Sequence, residues 1–370
     1  MSNQTQLIDM NLSQKHDFEE DLRLASSNLV KRLSEIDLHE LGISEYNIRY
    51  ISTKLNNPSS NLGLYIDLLR LCFNSSDYSN ISKKTLIDYG GGSGLFSLLA
   101  KALGVGTVIY NDIYDVSCRD VKIIADAIDL PLDGMICGEI DDVIANIQES
   151  GLKVDAICSF DVIEHIYDIN GYLRKCANIP HSTRLRLVFG SGANGRNPII
   201  NYRLRKKHLV SEMHDREKKI GHKERDSLKS YFNLRKEIIR NNFNSLPEDI
   251  LSKLASCTRG LRKEDILDVV LGYIQHGDII YAPSDKTNTC DPLTGNWDEH
   301  IMNPSDISSA LEQGGFDVEI LPGFWRGGNS LRTRIVKNIL NILIKYTGII
   351  SFAFSPYYVV KADKFFHSRY

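Results

Sequence analysis

Residues 85–103 constrain this chain more than any other stretch. Thr85-Leu86-Ile87-Asp88 reads as a short buried strand ending in a carboxylate, Gly90-Gly91-Gly92-Ser93-Gly94 as a tight turn, and Leu95 to Leu103 as an apolar helix. Glycines let a backbone reverse and approach a ligand with no Cβ in the way. Strand, acid, glycine turn and helix together make a ligand site at the carboxyl edge of a parallel sheet. The spacing Asp88-x-Gly90-x-Gly92-x-Gly94 fits a dinucleotide fingerprint poorly, because Leu95 and Ser97 stand where its third glycine belongs. A phosphate loop fails too, since no Gly-Lys-Ser/Thr follows.

The text around the turn alternates. Strands are predicted at 107–112, 134–137, 154–159 and 184–189, with helices near 116–128 and 141–149 and another beginning near Val162. That is the pattern of an α/β fold, a parallel sheet with helices on both faces. Asp112 ends the second strand, 24 residues after Asp88, where a carboxylate can take both hydroxyls of a ribose. After Phe189 the alternation stops for about a hundred residues. It resumes with a helix over 305–313, a Gly314-Gly315 stop, a strand over 316–321 and a last strand over 357–361. Upstream, Leu22, Leu29, Leu33 and Ile36 recur as on one helix face, Asn56 to Asn61 is a break, and Leu64 to Phe73 is a second apolar helix.

Composition limits the rest. The 370 residues, 42% hydrophobic and 25% charged, exclude a mainly disordered chain and allow two domains or one enlarged one. The net charge of −3 excludes a nucleic-acid-coating protein. The seven cysteines are odd in number and form no C-x-x-C, which argues against disulfides and zinc and for buried thiols in a reducing cytoplasm. The N-terminus lacks an apolar signal core. Lys337, Asn338, Asn341 and Lys345 interrupt the apolar stretch 335–354, so it reads as an amphipathic helix covering the core rather than a membrane span, with membrane-surface contact the lesser reading.

The residues 88–94, with Asp112 behind them, resemble the first motif and the ribose acid of class I S-adenosylmethionine-dependent methyltransferases. Gly138-Glu139-Ile140 falls where that family contacts adenine. Ser159-Phe160-Asp161-Val162-Ile163-Glu164-His165 and Thr294 to Ser305 resemble the ubiquinone-biosynthesis O-methyltransferase-like branch. The resemblance covers about 85–190 and 294–322. It implies a Rossmann-like seven-stranded, mostly parallel sheet whose last strand is antiparallel, and S-adenosylmethionine as cofactor. The cofactor shell it implies is Asp88, Gly90, Gly92, Gly94, Asp112, Ile113, Glu139, Ile140, Ser159 and Phe160. The domain division that follows is a helical segment 1–80, a core of 81–190 with 296–370, and a helical basic lid of 191–295.

Asp161, Glu164 and His165 stand at i, i+3 and i+4, on one face if the segment is helical. Three roles stay open for them. Asp161 caps a helix while His165 packs beside the cofactor, His165 accepts the acceptor's proton, or the three hold a divalent cation. A resident metal is the weakest of these, because the first acid is Asp rather than Glu and Gly295-Asn296 stands where relatives place a further His.

From Asn201 to Arg240 there are thirteen Lys and Arg against six Asp and Glu, with Gly221 as a helix break. This basic lid reads as a solvated face or as a seat for an anionic acceptor, with RNA disfavoured for want of interleaved aromatics. Arg196, Arg203, Trp297, His300 and Trp325 are the candidate acceptor residues, with Phe324 and Arg326 as further pocket candidates. The expected activity is methyl transfer to a small polar acceptor such as a sugar or glycan precursor, at oxygen in preference to nitrogen. The competing class is a non-catalytic cofactor-binding module docking a partner or RNA through its basic insertion.

Overall fold

The computed structural model describes residues 3–56, 62–217, 227–283, 285–328 and 330–366. The expected breaks at 57–61 and at Gly221 lie outside the described residues.

The described N-terminal residues hold α1 (Asn3–Ser34), α2 (Glu45–Leu55), α3 (Gly63–Cys72) and a single helical turn, Ser75–Tyr78. The alternating core is β1 (Thr85–Tyr89), α4 (Leu95–Ala102), β2 (Thr107–Asp112), α5 (Asp115–Ala127), β3 (Gly134–Cys137), α6 (Ile140–Ser150), β4 (Ala156–Phe160), α7 (Ile169–Cys176) and β5 (Arg184–Ser191). Four helices follow without a strand: α8 (Pro198–Met213), α9 (Tyr231–Asn242), α10 (Glu248–Cys257) and α11 (Lys263–His276). The chain closes with α12 (Pro304–Gln313), β6 (Asp317–Pro322), α13 (Leu331–Tyr346) and β7 (Tyr358–Phe365).

The seven strands form one sheet in the order β3-β2-β1-β4-β5-β7-β6. β1 to β5 pair in parallel, and β7 runs antiparallel to both β5 and β6. This is the α/β sheet that the alternation predicts, in the Rossmann-like seven-stranded form that the resemblance implied. Every residue of β1 is buried, as expected of a strand covered on both faces. Leu22, Leu29 and Leu33 of α1 pack with Leu68, Leu98 and Leu86 on one face. Ile36 lies past the end of α1 and only borders that core. Ile147, Leu173 and Leu311 pack with Ile157 and Leu187 on the other face. Ile239, Leu254 and Val270 make a separate small core for α9 to α11.

Three expectations are corrected. Cys137 is exposed rather than buried, because it ends the edge strand β3. No α-helix begins near Val162: Ile163–His165 is a single 3-10 turn, and Ile166 is extended ahead of α7. The helix in the stretch 335–354 does not cover the core: α13 buries only Ile344 and turns most of its aliphatic side chains outward, and Phe352 beyond it is what reaches the core.

Candidate functional site

The order of the strands reverses between β1 and β4, and there the carboxyl ends of the strands leave a crevice. β1 runs into a turn with left-handed backbone at Gly90 (φ +70°) and Gly94 (φ +74°). A Cβ on Gly90 would lie 2.6 Å from Val162 Cγ2, and one on Gly94 2.5 Å from Val121 Cγ1. Neither conformation nor space admits a side chain. The turn is tied to β2: the Gly92 N–H donates to Asp112 Oδ2 at 2.9 Å, and Tyr110 Oη donates to the Gly92 carbonyl at 2.7 Å.

The turn opens onto a cleft of about 890 Å³. Asp88, Gly90, Gly92, Asp112, Ile113, Glu139, Ile140, Ser159 and Phe160 line it, whereas Gly94 lies behind the turn against Val121. Asp88 is buried and accepts a hydrogen bond from Ser97 Oγ at 2.6 Å. Burial, opposed by that bond and reinforced by Asp112, pushes its carboxyl up to about 7. Asp112 is buried and also accepts from the Tyr114 N–H at 3.0 Å. Two buried atoms in the cleft wall, Asn111 Oδ1 and Ser159 Oγ, have no hydrogen-bond partner among the described residues. A turn without Cβ atoms, carboxylates on adjacent strand ends and unpartnered polar atoms fit the cofactor implied by the motifs.

Asp161, Glu164 and His165 do not share a helical face. Asp161 takes φ +56° and accepts from the Gly192 N–H at 2.8 Å, so it caps no helix. Asp161 and His165 line the cleft, while Glu164 is fully buried beneath, both of its oxygens without a hydrogen-bond partner. Burial pushes the Asp161 carboxyl up to about 6 and Glu164 well above the usual range, with the mutual repulsion of the two acids adding to Glu164. His165 Nδ1 sits 2.8 Å from the Trp297 carbonyl oxygen. A carbonyl only accepts, so Nδ1 carries the proton and Nε2 of the neutral ring keeps its lone pair. Among the described residues no group of three or more His, Cys, Asp and Glu side chains is placed to hold a metal ion.

The five candidate acceptor residues lie outside the cleft lining. Arg196 reaches Ser305 Oγ at 3.2 Å and covers the Phe352 ring. Arg203 is exposed on α8. Trp297 stacks between Tyr167 and His300, as a structural wedge. Trp325 donates from Nε1 to the Phe354 carbonyl at 2.7 Å. Phe324 is partly exposed, and Arg326 pairs with Asp67. Among the described residues most of the basic block is also paired: Arg205 with Asp285, Lys207 with Asp298, and Arg235 with Glu212.

Other residues line the rest of the cleft. Tyr46, Tyr50 and Lys54 of α2 and Tyr65 of α3 form one wall, with the Tyr50 and Tyr65 hydroxyls 3.1 Å apart and the Lys54 ammonium over both rings. Tyr167, Arg262, Asn296 and Glu299 form the other. The Arg262 guanidinium lies 4.9 Å from the Tyr167 ring centroid, and Tyr167 Oη donates to Asp265 at 2.5 Å. The stripe Tyr46, Tyr50, Lys54 at helical spacing was a signal for the first wall; Arg262 had none.

A search of curated protein sequences finds no match. The chain is similar to a SAM-dependent methyltransferase from Archaeoglobus fulgidus at 14% identity, over 85% of this chain and 99% of that one, with a TM-score of 0.37. It is similar to an S-adenosylmethionine-dependent methyltransferase from Mesorhizobium loti at 12% identity, over 77% and 92%, with a TM-score of 0.37. Residues 62–180, which hold the turn, both strand-end carboxylates and His165, match the family described as "Methyltransferase domain".

Proposed function

We propose that the chain transfers the methyl group of S-adenosylmethionine to an oxygen of a small polar or anionic acceptor, with a sugar or glycan precursor as the favoured class. Ser159 to His165 and Thr294 to Ser305 support placing it in the ubiquinone-biosynthesis O-methyltransferase-like branch. Asp112 would hold the ribose, Glu139 and Ile140 would lie at the adenine, and Gly90 to Gly94 would take the amino-acid end. The cofactor supplies a methyl group on a positively charged sulfur. The chain's own task is then to exclude water, align the acceptor and take one proton.

The observation that carries an oxygen acceptor is His165. Its Nδ1–H is committed to the Trp297 carbonyl, which leaves Nε2 as a base in a residue lining the cleft. Asp161 lines the cleft beside it. The four helices of 191–295 serve as the lid, contributing Arg262. The seven free cysteines support a reducing, cytoplasmic setting.

Calorimetry with S-adenosylhomocysteine and turnover assays over hydroxylated acceptors test this reading. We expect His165→Gln to keep cofactor affinity and lose about a hundredfold or more in kcat. Absence of S-adenosylhomocysteine binding by the unaltered protein overturns the proposal, and unchanged turnover in His165→Gln overturns the role of the base.

A further inference from the structure

α13 is amphipathic the wrong way round for a core helix. Its inner side is held by polar contacts: Asn341 Nδ2 donates to the Trp325 carbonyl at 2.9 Å, and Lys337 Nζ to the Arg326 carbonyl at 2.6 Å. Its outer side carries Leu331, Ile335, Ile339, Ile342 and Tyr346, all at least half exposed, continued by Ile349 at 85% and Ile350 at 64%. Arg332, Arg334 and Lys345 are exposed on the same helix and form no ion pair among the described residues. No Asp or Glu occurs between Arg326 and Lys361.

α8 repeats the arrangement. Its Arg205 and Lys207 are paired with acids, whereas its outer arc presents Ile199, Tyr202, Leu209 and Met213 with Arg203 and Lys206. Both helices leave the sheet at the carboxyl edge, since Ser191 of β5 and Pro322 of β6 each pair with Tyr358. They are tied together there: Asn194 Nδ2 donates to the carbonyls of Phe352 and Ser355, each at 2.9 Å.

We propose that these two outer arcs dock the protein on an anionic lipid bilayer, with the aliphatic side chains in the headgroup boundary and the arginines and lysines on lipid phosphates. Exposed aliphatic arcs flanked by unpaired cations and free of acids match that surface in charge and polarity. A second copy of the chain is the poorer partner, because a symmetric contact would set these cations against themselves. The proposal is independent of the acceptor and of methyl transfer.

Flotation of the full-length protein with vesicles tests it, comparing phosphatidylcholine alone with phosphatidylcholine plus phosphatidylglycerol. We expect binding only to the anionic vesicles, reversed by high salt. Arg332→Gln with Arg334→Gln should weaken it about thirtyfold, and Ile339→Glu with Ile342→Glu should abolish it. S-adenosylhomocysteine binding and melting temperature, unchanged in both variants, show that the fold survives. No binding by the unaltered protein, equal binding to neutral vesicles, or full binding by both variants overturns the proposal. So does a dimer in sedimentation that Ile339→Glu with Ile342→Glu dissociates.

Discussion

Single residues in this protein are set by what lies beneath them. His300 is stacked on Trp297, and burial holds its ring near a pKa of about 4, well below an ordinary histidine. A depressed histidine is neutral in the folded state and charged in the unfolded one as pH falls below about 6.5. Its contribution to stability is complete above that value and is lost on acidification toward about 4. Urea midpoints measured across that window should fall toward acid, and His300→Gln should flatten the fall. Asp88 has the opposite sign. Raised to about 7, it contributes stability that is complete below about 3.9 and lost as pH rises to about 7. Asp88→Asn should remove that part of the slope.

At the scale of elements, the glycine turn and the insertion are built on opposite principles. The turn works by absence of side chains. Gly90→Ala meets Val162 at a left-handed position, and we expect at least a tenfold loss of S-adenosylhomocysteine affinity by calorimetry. The insertion works by a buried ion pair. Arg235 is fully buried, pairs with Glu212 of α8 and donates from Nε to the Ala255 carbonyl of α10 at 2.8 Å. Arg235→Met leaves the buried Glu212 carboxylate with only the Thr289 hydroxyl and the more distant Arg259, and should cost about 3–5 kcal/mol in chemical denaturation. The turn was legible in sequence because positive φ and short spacing are local properties. The pairing of Arg235 with Glu212 was not, since two charges in a basic block look like a solvated face until a third helix closes over them. Trp297 misled for the same reason: an aromatic beside a motif reads as pocket lining, whereas its stacking partner Tyr167 lies 130 residues upstream. The Asp161–His165 spacing suggested a helical face, and the left-handed backbone at Asp161 divided it into a cleft side and a buried side.

Over the whole molecule, the cleft is walled by two parts of the chain that the sheet does not contain. α2 and α3 supply tyrosines from the N-terminal side, and the insertion supplies Arg262. Arg262→Ala should raise the acceptor KM while leaving S-adenosylhomocysteine affinity within a factor of about two, a split that calorimetry and steady-state kinetics read separately. The α/β class of the sheet was readable from alternation, whereas its antiparallel last strand was implied only by the resemblance of the motifs. The outward face of α13 was not, because periodicity gives an apolar arc without saying which side of it meets the protein. The segment leading into that helix is also joined to a cleft helix by ion pairs. Arg326, at the root of α13, grips Asp67 of α3, and Asp67 in turn pairs with Arg70, which holds Glu19 of α1. One chain of guanidinium and carboxylate groups therefore runs from the far margin of the sheet to the tyrosine wall. The sheet margin that carries α13 and the helix that carries Tyr65 are thus held to one another by side chains as well as by backbone.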